Sequence, residues 1–341
     1  MNIIKYGGSY FDIGRKIGID YKRQGMILDR PLEKKIFFTQ LKIFKKFYPE
    51  YLEELRGIAE GIGCEYQQVL QSFLQRVVLP KKKNEKKRKH CSIFGVKNSK
   101  ELIVGRNYDW IPEAKKYSKI YFVNNKEANS YFGFSDRGIW KEGKVNESEL
   151  EVYTVGALNE NGLYIGLTWG DPVDFPGKGI GSGVFIKMIA EKCSNVSDAV
   201  KLFNKVPLNF SKNYFVVDSE GNMKVLEFNG KKKKVVEPKE DILIKTNHYL
   251  NYELSKNDSV LKKKGNSTFL RYYEILKYVE ERKDKFKIGD VKNLLCDKNR
   301  YVYRQGEKVN TIWTLALDMT KRKYFIYYER NGKIISKELK F

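Results

Sequence analysis

HCSIFGVKNSKELIVGRNYDW, residues 90–110, is the stretch from which the fold can be read. Two apolar arms, CSIFGV and ELIVGRNYDW, flank Lys97-Asn98-Ser99-Lys100, a polar turn. That pattern predicts a β-hairpin. Pairing the arms returns Arg106 and Asp109 to the neighbourhood of Cys91. A thiol becomes a strong nucleophile only as its anion, which needs a base to form it and a cation or donor to hold it. Alone, a cysteine at a strand start is more often structural. An Arg–Asp pair alone is an idle surface ion pair worth ~0–1 kcal/mol. The three together form a constellation with a chemical use.

Upstream lies LPKKKNEKKRKH, residues 79–90, with seven Lys or Arg and a single Glu. Such a run self-repels and has no apolar face to bury, so it predicts an exposed loop. The exposed loop would tolerate a backbone cut. Before it, residues from about 8 to 78 read as helical. Leu52, Leu55, Ile58, Ala59 and Ile62 recur at helical spacing in YLEELRGIAEGIG, and EYQQVLQSFLQRVV begins another helix after Gly61 and Gly63.

Downstream the texture is β. LEVYTVGALNENGLYIGLTW, NYFVVDSEGNMKVLEFNG, TIWTLALDMTKRKYFIYYERNGK and KIISKELKF are short β-branched and aromatic runs. Turn pairs such as Asn161-Gly162 and Asn331-Gly332 break them. Two helical stretches intervene, GVFIKMIAEKCSNVSDAVKLFNKV and STFLRYYEILKYVEERK. Hairpins stacked with helices predict a layered α+β architecture.

Composition narrows the function. The chain has 341 residues, 41% hydrophobic and 14% aromatic, enough for a large core. The formal charge of +23 is spread as Lys through nearly every segment rather than clustered, which argues against nucleic acid as partner. The N-terminal MNIIKYGGSYFDIGRKIG has no apolar signal-peptide core, and no run approaches a membrane span of about 20 apolar residues, so the expected address is the cytoplasm, away from the membrane. Four cysteines, Cys64, Cys91, Cys193 and Cys296, lie far apart without CxxC spacing, against a metal centre or a disulfide framework. No metal or other cofactor is expected.

The base for Cys91 has two solutions. His90 and His248 are the two histidines, and His248 could serve an uncut Cys–His hydrolase. Alternatively, scission between His90 and Cys91 frees an α-amine on Cys91 itself. An α-amine has a pKa of about 7.7–8.0, suited to taking the thiol proton and later giving it to a leaving amine. A basic binding protein without catalysis is the third alternative.

With these motifs in place, the sequence resembles the choloylglycine hydrolase and acyl-CoA:6-aminopenicillanic acid acyltransferase-like (peptidase C45-type) group of N-terminal-nucleophile hydrolases. GSYFDIGRKIG, EELRGIAEGIG, HCSIFGV with GRNYDW, NENGLYIGLTW, VVDSEGNMKVLEF, TNHY, NSTFLRYYEIL and TIWTLALD fall in that group's order over nearly the whole chain. The resemblance implies an α+β four-layer αββα sandwich of two stacked antiparallel sheets. It implies self-cleavage at His90–Cys91, giving a helical prosegment, residues 1–90, and a catalytic domain, residues 91–341, that stay together as a heterodimer.

By the same resemblance Cys91 is the nucleophile of a non-peptide amide hydrolase or acyltransferase working through a thioester. Asp109 orients its amine, Arg106 supports the thiolate, Asn247 contributes to the oxyanion hole and Arg271 is the late arginine. The alternative for Asn247 is a turn residue, and for Arg271 a solvated helix residue. Bile-salt hydrolases usually carry Asn where this chain has Thr168, and they lack the long prosegment, which points to the acyltransferase-like branch. Tyr108, Trp110, Trp140, Trp169, Phe175 and Tyr249 are candidates for an aromatic wall, and Thr168, Trp169 and His248 for substrate contacts, although any single aromatic is more often core. An N-acyl amino acid, a penicillin-type amide or a bile-acid conjugate would suit such a site. A homo-oligomer is compatible with all of this.

Overall fold

The computed structural model describes residues 1, 3–25, 34–74, 91–135, 154–171, 173–174, 176–258 and 267–341, with the side chain of Tyr117 excepted. In chain order its elements are β1 Ile3–Gly8, α1 Tyr10–Arg23, α2 Lys34–Phe47, α3 Pro49–Ile62, α4 Tyr66–Leu74, β2 Ser92–Lys97 and β3 Leu102–Trp110. Then follow the one-turn α5 Ala114–Tyr117, β4 Lys119–Asn125, β5 Tyr131–Ser135, β6 Thr154–Asn159, β7 Tyr164–Trp169, α6 Ser182–Lys192, α7 Val196–Lys205, β8 Lys212–Val217 and β9 Met223–Phe228. The chain closes with β10 Lys233–Val236, β11 Ile242–Lys245, α8 Tyr252–Ser255, α9 Ser267–Glu280, α10 Ile288–Leu295, β12 Asn310–Asp318, β13 Lys323–Arg330 and β14 Lys333–Leu339.

The hairpin expected at residues 91–110 is β2–β3, paired from Ser92↔Asn107 to Lys97↔Leu102. It sits inside a six-stranded sheet of order β11-β2-β3-β12-β13-β14. The second sheet has eight strands, ordered β1-β4-β5-β6-β7-β8-β9-β10. Alternation along β2 and β3 assigns their two faces. Ile93, Val104 and Tyr108 join the core between the sheets. Phe94, Val96 and Ile103 join an outer core under α9 and α10. On the far side, α6 and α7 cover β6 to β9. The layers are therefore helix, sheet, sheet, helix, as expected.

Two expectations need correction. The eight-stranded sheet is not wholly antiparallel, because β1 pairs parallel with β4, from Ile3↔Ile120 to Gly8↔Asn125. The N-terminal segment is accordingly not only helical, since its first strand forms an edge of the eight-stranded sheet. The stretch 183–206 is also two helices, separated at Cys193-Ser194-Asn195, where Asn195 caps α7 by accepting from the Asp198 backbone N–H.

Residues 3–74 are joined to the remainder by buried polar contacts as well as apolar ones. The buried Lys187 on α6 is 2.7 Å from Glu54 on α3 and also pairs with Glu191. Tyr48, ahead of α3, donates to Glu191. Gln40 on α2 brackets Gly179, accepting from its N–H at 2.8 Å and donating to its carbonyl at 3.1 Å.

Within the segment, α1 and α3 meet backbone to backbone. A Cβ on Gly14 would lie 2.0 Å from the Glu54 carbonyl oxygen, and one on Gly57 2.1 Å from that of Phe11. Gly18 and Gly61 close the same crossing one turn further on. Paired glycines four residues apart leave a flat stripe on each helix, so the axes approach more closely than larger side chains allow. Among the described residues no helix is long and apolar enough to cross a membrane.

Candidate active site

Cys91 directly precedes β2, and its side chain belongs to the core between the sheets. Burial pushes its thiol above the ordinary value. Arg106, the Asp109 backbone N–H and Arg271 pull it down, while the Asp109 carboxylate pushes it up. The balance leaves a neutral thiol that needs a base.

Arg106 enters from the middle of β3, fully buried. It donates from Nη1 to Tyr164 Oη at 2.9 Å and from Nη2 to the Leu167 carbonyl at 3.1 Å, crossing from one sheet to the other. Its guanidinium lies 5.0 Å from the Trp313 ring and 5.7 Å from the Tyr108 ring. Space for it comes from two glycines paired across β6 and β7, Gly156↔Gly166. A Cβ on either would lie 2.4 or 2.6 Å from Nη1. Glycine inside a strand commonly marks such an approach. The sequence reading passed over Gly156, Gly166 and Tyr164.

Asp109 is buried near the end of β3 and accepts from Thr311 Oγ1 at 2.8 Å, while its Oδ2 has no hydrogen-bond partner. Burial raises its carboxyl to about 7, against the opposing pull of Arg271, Thr311, Arg304 and Arg106. A buried carboxylate with one oxygen unpaired is poised to accept a further donor.

Arg271 is not a solvated helix residue. It is fully buried on α9 and reaches into the sheet. Nη1 donates to the Cys91 carbonyl at 2.5 Å and to Ser92 Oγ at 2.7 Å. Nη2 donates to Asn247 Oδ1 at 2.9 Å. One guanidinium thus holds both Cys91 and Asn247. With its oxygen engaged, Asn247 keeps Nδ2 buried and unpaired, a fixed amide donor.

The remaining candidates separate by face. Thr168 is buried and donates to the Thr246 carbonyl at 2.8 Å, which ties β7 to the segment bearing Asn247. Trp169, one residue on, stands on the opposite face of β7. There it packs on Phe210 at 5.3 Å, beneath the Lys212 ammonium at 3.7 Å. The alternation of the strand therefore turns Trp169 away from the inter-sheet face. Tyr108 is buried and stacks on Trp313 at 4.9 Å, so it packs around Arg106 rather than rimming an opening. Trp110 is half-buried at the end of β3. Tyr249 is buried and donates to the Asp171 carbonyl at 2.5 Å.

His248 lies among residues of α9. Nδ1 is 3.1 Å from Thr246 Oγ1 and 3.4 Å from Thr268 Oγ1, and the ring packs on Phe269 at 4.6 Å. Burial, with Lys245 and Arg271 beside it, lowers its pKa to about 3. An imidazole so weakly basic is a poor acceptor for the proton of a thiol whose own pKa is raised. His90, Trp140, Phe175 and the basic run of residues 79–90 lie outside the described residues.

Comparison with known proteins was made against families, curated proteins and solved structures. No curated protein matches the sequence. Among solved structures, penicillin V acylase from Agrobacterium tumefaciens is similar at 13% identity, covering 73% of this chain and 86% of that one, with a TM-score of 0.49. A variant of conjugated bile acid hydrolase from Clostridium perfringens is similar at 14% identity, covering 72% of this chain and 92% of that one, with a TM-score of 0.46. A family profile, acyl-coenzyme A:6-aminopenicillanic acid acyl-transferase, matches residues 96–333, beginning inside β2 just beyond Cys91. The chain belongs to that family, and is an amide hydrolase or a related acyltransferase.

Proposed function

We propose that the chain is a self-processing cysteine acylase. The peptide bond between His90 and Cys91 is cut, leaving residues 1–90 and 91–341 as two associated chains. The freed α-amine of Cys91 takes the proton from its own thiol. The sulfur attacks the carbonyl of a linear, non-peptide amide, and the tetrahedral oxyanion collapses to a thioester as the leaving amine takes the proton back. Water or a second amine then accepts the acyl group.

The observation that carries this reading is the convergence on Cys91. The Arg271 guanidinium bonds its carbonyl, and Asp109 touches its thiol through a backbone N–H. Two buried groups, Asp109 Oδ2 and Asn247 Nδ2, are unpaired. An acceptor for an ammonium and a donor for an oxyanion are what the chemistry requires. One oxyanion donor is typically worth about 2.7–4 kcal/mol of barrier. The low basicity of His248 favours the amine over a Cys–His dyad.

The buried contacts of Lys187, Glu191 and Gln40 support continued association of the two chains after the cut. Substrate classes to test first are N-acyl amino acids, penicillin V and conjugated bile acids, the last two acted on by the proteins named above.

Intact-mass measurement of the purified protein tests the proposal. The expected result is a chain beginning at Cys91, with Cys91→Ala giving one uncut, inactive chain. Active protein in which residue 90 remains joined to residue 91 would sink it.

A further inference from the structure

Thr246–Asn251, between β11 and α8, is held by side chains from other elements. Thr168 donates to the Thr246 carbonyl at 2.8 Å, and the Asn247 N–H donates to Thr268 Oγ1 at 2.8 Å. Lys245 donates to the His248 carbonyl, and the Tyr249 N–H donates to Asp258 at 2.9 Å. The N–H groups of Leu250 and Asn251 donate to the two oxygens of Glu227, at 2.8 and 3.0 Å. Lys245 also pairs with Glu227 at 2.5 Å, both side chains being fully buried.

Glu227 stands on β9 of the eight-stranded sheet and Lys245 on β11 of the six-stranded sheet. Their pair therefore bridges the two sheets at the segment that carries Asn247. A buried ion pair is seldom retained for stability alone, since apolar replacements of similar volume are commonly neutral or stabilising. Here the two charges satisfy three backbone groups, on His248, Leu250 and Asn251, in the stretch that begins immediately after Asn247.

We propose that Glu227 and Lys245 are positioning residues that act through Asn247, fixing the backbone from which its free amide Nδ2 meets the developing oxyanion. The inference rests on the proposed role of Cys91 and Asn247. A donor must lie within a few tenths of an ångström of where the oxyanion forms, so a loosened segment weakens transition-state binding more than ground-state binding.

The experiment uses the full-length protein after any self-cleavage, with p-nitrophenyl acetate as acylating probe. The burst of p-nitrophenolate gives the acylation rate constant and its half-saturation concentration, and intact mass locates the acetyl group. Glu227→Gln keeps one acceptor oxygen but removes the charge. It is expected to slow acylation about 10–100-fold, less than the roughly 100–1,000-fold cost of losing an oxyanion donor outright, with half-saturation changed less than about threefold. Added to Asn247→Ala, it is expected to cost nothing further.

Should Glu227→Gln fail to fold, Glu227→Gln/Lys245→Met removes both charges, and the same slowing is expected. Wild-type acylation in either folded variant, or a loss that multiplies with that of Asn247→Ala, overturns the proposal. Wild-type protein that takes up no acetyl group on Cys91 overturns the functional reading beneath it, and the two failures are distinct in the same data.

Discussion

Gly156→Ala is the sharpest test of how the Arg106 site is built. The added Cβ would lie 2.4 Å from Arg106 Nη1, 3.1 Å from the Ile165 carbonyl oxygen and 3.4 Å from Tyr164 Oη. Ordinary contact begins near 3.5 Å, so the guanidinium must retreat by about 1 Å. That retreat breaks or strains its bonds to Tyr164 Oη at 2.9 Å and the Leu167 carbonyl at 3.1 Å. Overpacking a core costs about 1–3 kcal/mol, and losing one charged hydrogen bond about 1.5–3 kcal/mol. The sum is roughly 2.5–6 kcal/mol.

Gly133→Ala on the neighbouring β5 is the control. Its Cβ would meet Tyr131 Cε2 at 3.3 Å and Thr154 no closer than 3.7 Å, a cost below about 1 kcal/mol. Urea unfolding at unchanged slope measures both. In a cycle with Arg106→Ala, Gly156→Ala should couple by about 2 kcal/mol or more, because the clash disappears with the arginine. Equal, small costs for the two glycines with no coupling would refute the account of a guanidinium seated against Gly156.

Other outcomes follow from the same geometry. His248→Asn should leave acylation of Cys91 within about threefold of wild type, since an imidazole of pKa about 3 takes no part in proton transfer at neutral pH; a loss of about a hundredfold or more, measured by burst kinetics, would restore the Cys–His alternative. Asp109 has its pKa raised from 3.8 to about 7 by burial, so in the uncut Cys91→Ala chain the folded state holds a proton that the unfolded state has lost between those values. Its contribution is greatest below about 4 and is lost as pH rises to about 7, and Asp109→Asn should remove that slope from urea titrations. Gly57→Ala or Gly61→Ala places a Cβ 2.1 Å from a carbonyl oxygen of α1, so either should expose α1 or α3 to limited proteolysis while β2–β3 stays protected from hydrogen exchange.

The hairpin that follows Cys91 was legible because β-propensity, a four-residue polar turn and the return of Arg106 and Asp109 are all local facts of residues 90–110. The helices α1 to α4 and the alternation of helices with paired strands were legible for the same reason: periodicity is written along the chain. Those signals determined the layered α+β class and singled out Cys91.

Other features depended on residues far apart. Whether Arg271 was solvated or buried turned on its reaching Cys91, 180 positions away, and Asn247. Whether Trp169 or Thr168 faced the space between the sheets turned on the register of β7, and a strand's period of two makes adjacent residues opposites. The parallel β1–β4 pair, the glycines that seat Arg106 and the Glu227–Lys245 bridge had no local signal that separates them from an ordinary strand, a flexible turn or a surface charge. Local sequence set the elements and singled out Cys91. Only tertiary packing decided which charges were taken out of water, and therefore which pKa values moved and which donors were left unpaired for chemistry.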